Sequence, residues 1–294
     1  MDLYFMSPPH PEWSLRGRAN FRSREAGDVD PLRAGREWLA LAEGVEALGG
    51  TVVVLPASDP ALSGLPFAAE AGHPLQPLAP NGKPRFILPN MKPEHRRGER
   101  DVWGPFMAKL GFDLITLDEG VWEGQGDVAT FDGATLLFWG GRTDIKGMHA
   151  AKRHFSGEIL ELNIWEPAFH GNMAVLPLNE ADAMLVCADV LHEDSLALLE
   201  ARVGRDRMHF VTEEEMLLYS TNGLPVADTV LAPSTIPQRV RGLLEREGLK
   251  VAELRMTELC EKAGGASRCL VCKFADAPSS IEVPAENRLA AFKP

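Results

Sequence analysis

The feature that most constrains this chain is a recurrence. Strand–helix–strand units return roughly every 50–60 residues, without literal sequence repeats. From Pro31 to Leu48, apolar residues including Trp38, Leu41 and Val45 recur at helical spacing, and Gly49-Gly50 ends the helix. TVVVLPA follows as a buried strand, then a Pro/Gly-rich loop over 59–84. RFILPN and FDLITL predict strands on either side of a helix, RDVWGPFMAKLGF, interrupted at Gly104-Pro105. VATF, the turn Asp132-Gly133 and ATLLFWG predict a hairpin. A short basic helix over 145–154 precedes the strands EILELNI, MAVLPL and AMLVCADVL. HEDSLALLEARVG reads as a helix and MHFVT as a strand, and Thr212 caps a helix that opens on three glutamates. ADTVLAP, STIPQRVRGLLEREG and KVAELRM repeat strand, helix, strand. TELCEKA is a short helix, and ASRCLVCKF is a final strand. The first 30 residues carry three prolines and four arginines and read as a loop packed over a site.

No composition shift or flexible linker divides these units, so one domain over 1–294 is expected. The α/β repetition fits a doubly wound sheet, a barrel or a radial array, and periodicity does not choose among them. A net charge of −12 repels phosphate backbones, which argues against nucleic acid and weakly favours a cationic small molecule. No apolar run approaches the roughly 20 residues of a membrane span, and the start, MDLYFMSPPHPEW, does not resemble a signal peptide. Four cysteines in 294 residues are too sparse for a disulfide scaffold, so a reducing, cytoplasmic setting is expected. The oligomeric state is not fixed by these features, and a homodimer stays open.

Several residues carry chemistry. Cys269 follows Gly264-Gly265 at the start of an apolar strand, with Arg268 beside it to favour a thiolate. A buried structural cysteine is the commoner local reading. Cys269 and Cys272 form a Cys-x-x-Cys, but no second ligand pair supports zinc, and in a strand the two side chains face opposite ways. His170 sits in a Gly-containing loop at the mouth of a strand, from which it can reach a cleft. Glu123 and Asp127 flank two glycines directly before a strand; such a pair can bind a cation or orient a histidine. Arg142, at the end of the hairpin, suits a carboxylate clamp. The mixed run KPEHRRGERD over 92–101 reads as a solvated face.

The order of these fragments resembles the guanidino-group-modifying superfamily, which includes dimethylarginine dimethylaminohydrolases, arginine deiminases, arginine dihydrolases and glycine amidinotransferases. EFxKAGGxxxCLTL is similar to Glu258–Gly265 leading to Cys269-Leu270. FEGxGDA is similar to Trp122–Val128, and RFYHLDTxFxPL to Ala168–Asn172 ending at Leu178. FMSPPHPEW with RANFRS looks like a divergent MCPP…INPWM segment, which brings Asn20 near the site. LPFAAEAG resembles LPDMVFTANAG, which places Glu70 on the substrate side.

The resemblance implies a five-fold pseudosymmetric α/β propeller of ββαβ modules, the pentein fold. It implies a hydrolase acting on a C–N bond of a guanidino compound, with Cys269 as nucleophile, His170 as acid and base, and Glu123 orienting His170. Asp127 and Glu70 would hold the cation, Arg142 the substrate carboxylate, and Asn172 would line the site. No metal or organic cofactor is required. His170-Gly171-Asn172 stands where many relatives have His-x-Asp, which tilts the expectation toward a dimethylargininase or another substituted guanidine. Glu70 replaces an asparagine of the dihydrolases, and the Glu-to-Asp spacing is one residue longer than in the deiminases. An amidinotransferase and a catalytically silent binder of cationic metabolites are the competing readings.

Overall fold

The computed structural model describes residues 1–293 and folds the recurring units into five three-stranded sheets of one pattern. In each, an inner strand pairs antiparallel with a central strand; the chain then crosses through a helix and returns as an outer strand parallel to the centre. The inner strands are His73–Leu75, Val128–Phe131, Val175–Leu178, Leu224–Val226 and Cys272–Phe274. Residues of all five line one central channel. The crossing helices are Pro31–Ala47, Arg100–Lys109, Ile145–Lys152, Glu193–Val203 and Gln238–Arg246. The two ends of the chain share a module: Cys272–Phe274 pairs with Leu3–Met6, which in turn pairs with Thr51–Val54. This is the five-fold ββαβ architecture that the resemblance implied.

Central strands are buried on both faces. Leu3 and Phe5 pack into one apolar cluster, while Tyr4 and Met6 pack into another. Such strands read as continuous apolar runs rather than alternating ones. The helix Pro31–Ala47 starts where the Asp30 side chain accepts from the amides of Leu32 and Arg33, with Pro31 in the first turn. Its inward face is Ala34, Glu37, Trp38, Leu41, Ala42 and Val45. The Asp132-Gly133 hairpin forms with both residues at positive φ, as a type I′ turn requires. Thr212 caps its helix together with Glu215 in a capping box, over a single turn.

The structure corrects five readings. The helix Arg100–Lys109 runs unbroken through Pro105, which sits on its exposed side; the donor it lacks would have served the carbonyl of Asp101, itself exposed. Leu3–Met6 is a strand within the supposed N-terminal loop, and His73–Leu75 is one within the 59–84 loop. His170 does not lead directly into a strand: one helical turn, Gly171–Ala174, intervenes. The final strand is only Cys272–Phe274, so Cys269 lies in the turn before it. The alternation argument for the Cys-x-x-Cys therefore does not apply.

Candidate active site

Each inner strand is entered from the same end of the channel, and the chemically equipped side chains sit in those entries. Glu70 precedes His73–Leu75, and Glu123 and Asp127 precede Val128–Phe131. His170 and Asn172 precede Val175–Leu178, Asn222 precedes Leu224–Val226, and Cys269 precedes Cys272–Phe274. Five segments remote in sequence thus converge beneath one cleft.

The Cys269 entry is braced from below. The buried carboxylate of Glu37 accepts from the amides of Glu258 and Leu259, anchoring the wide turn Thr257–Lys262. Gly264 then adopts φ +86°, and a Cβ on Gly265 would lie 2.4 Å from the Phe67 ring. Only glycines let the backbone turn here and pass this close. Cys269 is 1% exposed. Its amide donates to Asn222 Oδ1 at 3.3 Å, and Asn172 Nδ2 donates to its sulfur at 3.5 Å. Burial pushes the Cys269 thiol up, while Asn222, Asn172, Arg268 and Arg142 pull in the opposite direction without overcoming it. Unliganded, the site holds a thiol.

His170 is fully buried between two carboxylates. Its Nε2 lies 2.8 Å from Glu123 Oε2, and its Nδ1 lies 3.4 Å from Glu70 Oε1. The other oxygen of Glu123 accepts from the Lys92 amide at 2.9 Å. Burial opposes ionisation of Glu123 most strongly, yet Arg142, His170 and Arg96 together outweigh it and hold its carboxyl far below the usual range. Arg142 Nη1 lies 3.4 Å from Glu123 and 3.8 Å from Glu70, and its guanidinium stacks 4.8 Å from the Phe169 ring centre. Above this layer, Leu15, Arg16, Asn20, Phe67, Glu70, Arg96 and Arg142 enclose a cleft of about 60 Å³. The N-terminal segment packs over it, and Asn20 Nδ2 donates to Ala263 O at 2.9 Å.

Asp127 is buried beside the His170 turn. Its two oxygens accept from Thr143 Oγ1 at 2.7 Å and from the Gly171 amide at 2.8 Å. It ties the hairpin to the His170 turn. The run over 92–101 is not a solvated face throughout: Arg96 and Glu99 are buried. Arg96 pairs with Glu70 and, in a two-pronged contact at 2.9 and 2.7 Å, with Glu99. The sequence reading missed Arg96 because its neighbours Lys92, Glu94 and Arg97 are exposed. It missed Asn222 as well; the signal was positional, since Asn222 enters its strand as Asn172 enters another.

Glu70, Glu123 and His170 bring one donor atom each within 4.8 Å of one another, close enough to share a metal ion. Arg96 and Arg142 already neutralise both carboxylates, so a cation would have to displace them. Around a buried histidine, the set suits proton transfer better.

No family model matches the sequence. An uncharacterized Caenorhabditis elegans protein is 24% identical over 259 residues, covering 84% of this chain and 86% of that protein. Among solved structures, the N-terminal domain of ArgZ, an arginine dihydrolase from the ornithine–ammonia cycle in cyanobacteria, superposes with a TM-score of 0.83 at 21% identity. That structure holds the product, and the match covers 92% of this chain and 97% of that one. Another structure of the ArgZ domain is covalently bound to a reaction intermediate and matches with the same TM-score and identity. A dimethylarginine dimethylaminohydrolase adduct matches with a TM-score of 0.67 at 18% identity, over 92% of this chain and 99% of that one. The fold is that of the ArgZ domain and of the dimethylarginine dimethylaminohydrolase, the five-module pentein fold.

Proposed function

We propose that this protein is a hydrolase that cleaves a C–N bond of a guanidino compound through a covalent intermediate on Cys269. The observation that carries the reading is the convergence, from five separate strand entries, of a buried thiol held by two asparagines and a buried histidine between two carboxylates, one of which, Glu70, lines the cleft. The ArgZ domain solved with a covalent reaction intermediate supports the covalent route. The five modules act as one catalytic unit, because each contributes to the site.

A bound guanidinium places positive charge beside Cys269, which favours the thiolate that the empty site suppresses; the thiol proton passes to His170, which holds it for the departing amine. The sulfur bonds to the guanidinium carbon. The C–N bond to the departing amine breaks, and His170 gives that nitrogen a proton. Neutral His170 then takes a proton from water as the water oxygen bonds to the same carbon. The C–S bond breaks, returning the thiolate and releasing a ureido product. Glu123 orients His170 and balances its charge, Glu70 faces the cation, and Arg142 receives a substrate carboxylate. Asn172 and Asn222 hold Cys269. The scheme uses only side chains and water, and a reducing cytoplasm suits the free thiol.

The test is a panel of guanidines, including arginine and its methylated forms, with product analysis. Turnover of at least one member by the wild type and none by Cys269→Ser is expected. Retained turnover in Cys269→Ser would sink the proposal. A product that forms only when a second amine is supplied would indicate an amidinotransferase instead. One observation favours a second reading, a binder without turnover: the chain's own Arg96 guanidinium already occupies Glu70. Saturable binding with no product from any guanidine would establish it.

A further inference from the structure

Behind the Cys269 entry, the central channel widens into a second cavity of about 310 Å³. It lies on the far side of the site and shares none of the cleft's lining residues. Its walls are largely apolar, with Val128, Leu176, Leu224 and Phe274 contributed by four different inner strands. A cavity of this size, apolar with a few polar groups, is what small-molecule sites look like.

At its inner end stands Arg268. The side chain's only hydrogen bonds run from Nη1 to two carbonyls, Val175 O at 2.7 Å and Thr221 O at 3.3 Å. No carboxylate pairs with it among the described residues. Burial pushes the guanidinium down to about 10, and only the charge of Cys269 works against that. It therefore stays protonated at neutral pH, as a part-buried cation without a counterion while Cys269 is a thiol. Buried charges are ordinarily paired. The neighbouring cation Lys273 is already satisfied by Asp2 at 2.8 Å, and His73 is kept neutral by burial, its value lowered to about 3. The one carboxylate on the wall, Glu180, is exposed at the opposite end of an inner strand, roughly 15 Å from Val175 at strand spacing.

We propose that the central channel binds a small monocarboxylate with a short apolar tail, its carboxylate on Arg268 and its tail along the inner strands. The unused face of the guanidinium offers the donors that a carboxylate takes in a two-pronged contact. The site is separate from the front cleft, with no lining residue in common.

The test uses hexanoate as the probe, with hexan-1-ol and hexylamine as matched controls, by calorimetry on the full chain. Hexanoate should bind saturably, at least tenfold more tightly than hexan-1-ol, and hexylamine should not bind. Arg268→Met should weaken hexanoate at least tenfold, toward the alcohol. Should that variant fail to fold, Thr130→Trp, at an exposed position on the channel wall, should block hexanoate by filling the cavity. Arg142→Met, in the front cleft, should leave hexanoate binding unchanged. No hexanoate binding, equal binding of the alcohol, binding that survives Thr130→Trp, or binding lost in Arg142→Met would each overturn the proposal.

Discussion

Arg96→Met is the most informative single perturbation of this structure. Arg96 is 6% exposed, and its two carboxylate partners, Glu70 and Glu99, are 4% and 3% exposed. It also donates to Gly64 O at 3.0 Å. Methionine retains much of the volume but strands two buried carboxylates. Removing one partner of a buried ion pair costs about 3–5 kcal/mol, mostly from the uncompensated charge left behind. Unfolding entropy near 2 cal/mol/K per residue gives about 0.6 kcal/mol/K for a chain of this size, so Tm should fall by about 5–8 °C. Arg97→Met, one residue away and exposed, should change Tm by about 1 °C or less.

The origin of the cost can be isolated. Adding Glu70→Gln and Glu99→Gln to Arg96→Met removes the stranded charges and should recover at least half of the loss. Lower pH should do the same by protonation: the deficit of Arg96→Met should be largest near pH 7 and shrink toward pH 4. Thermal unfolding at several pH values reads both. If Arg96→Met costs no more than Arg97→Met, or if the triple variant is no more stable than the single one, the buried ion network does not support the cleft.

Glu123→Gln should leave the protein folded but lower turnover about 10²–10⁴-fold, the range for loss of effective acid–base catalysis. Because the folded-state value of Glu123 is depressed, its ionised form stabilises the protein above about pH 4.5 and that contribution is lost as pH falls further. Glu123→Gln should therefore show a flatter fall in urea midpoint between pH 5 and pH 3 than the wild type. Asn172→Ala removes a donor to the Cys269 sulfur, so alkylation of Cys269 by iodoacetamide at pH 8 should slow several-fold; an unchanged rate would remove Asn172 from the thiol's support. A Cβ at Gly171 would lie 2.1 Å from the buried Phe138 ring, so Gly171→Ala should lower stability by about 1–3 kcal/mol in denaturant titration. Gly27→Ala, with open space around it, serves as the comparison.

The crossing helices and the central strands other than Leu3–Met6 were legible because their signals are long and local: apolar periodicity, the Asp132-Gly133 turn, the Thr212 cap. Inner strands were the weak point. Two went unread, His73-Pro74-Leu75 and Leu224-Pro225-Val226, and both carry proline, as does Val175–Leu178, which its apolar run still revealed. Each is the edge of its sheet, where a proline sacrifices no ladder bond on its free side. Two of these strands are only three residues long, too short for alternation to show. Cys269, His170 and Glu123 were found through motif order, and the structure brings them under one cleft. Arg96 was misread because local sequence does not reveal which face of a charged run turns inward. Arg268 was read as a partner of Cys269 alone; that it also faces a channel depends on five strands that only the fold brings together.

The account rests on Cys269 as the nucleophile, and trapping tests that most directly. The protein is mixed with a guanidine that it turns over, quenched in acid during the steady state, and digested for peptide mass analysis. The mass of an amidino or amidino-derived adduct should appear on the peptide containing Cys269, and it should be absent from Cys269→Ser. An adduct on Cys187, Cys260 or Cys272, or turnover with no adduct on Cys269 at any quench time, would contradict the covalent mechanism.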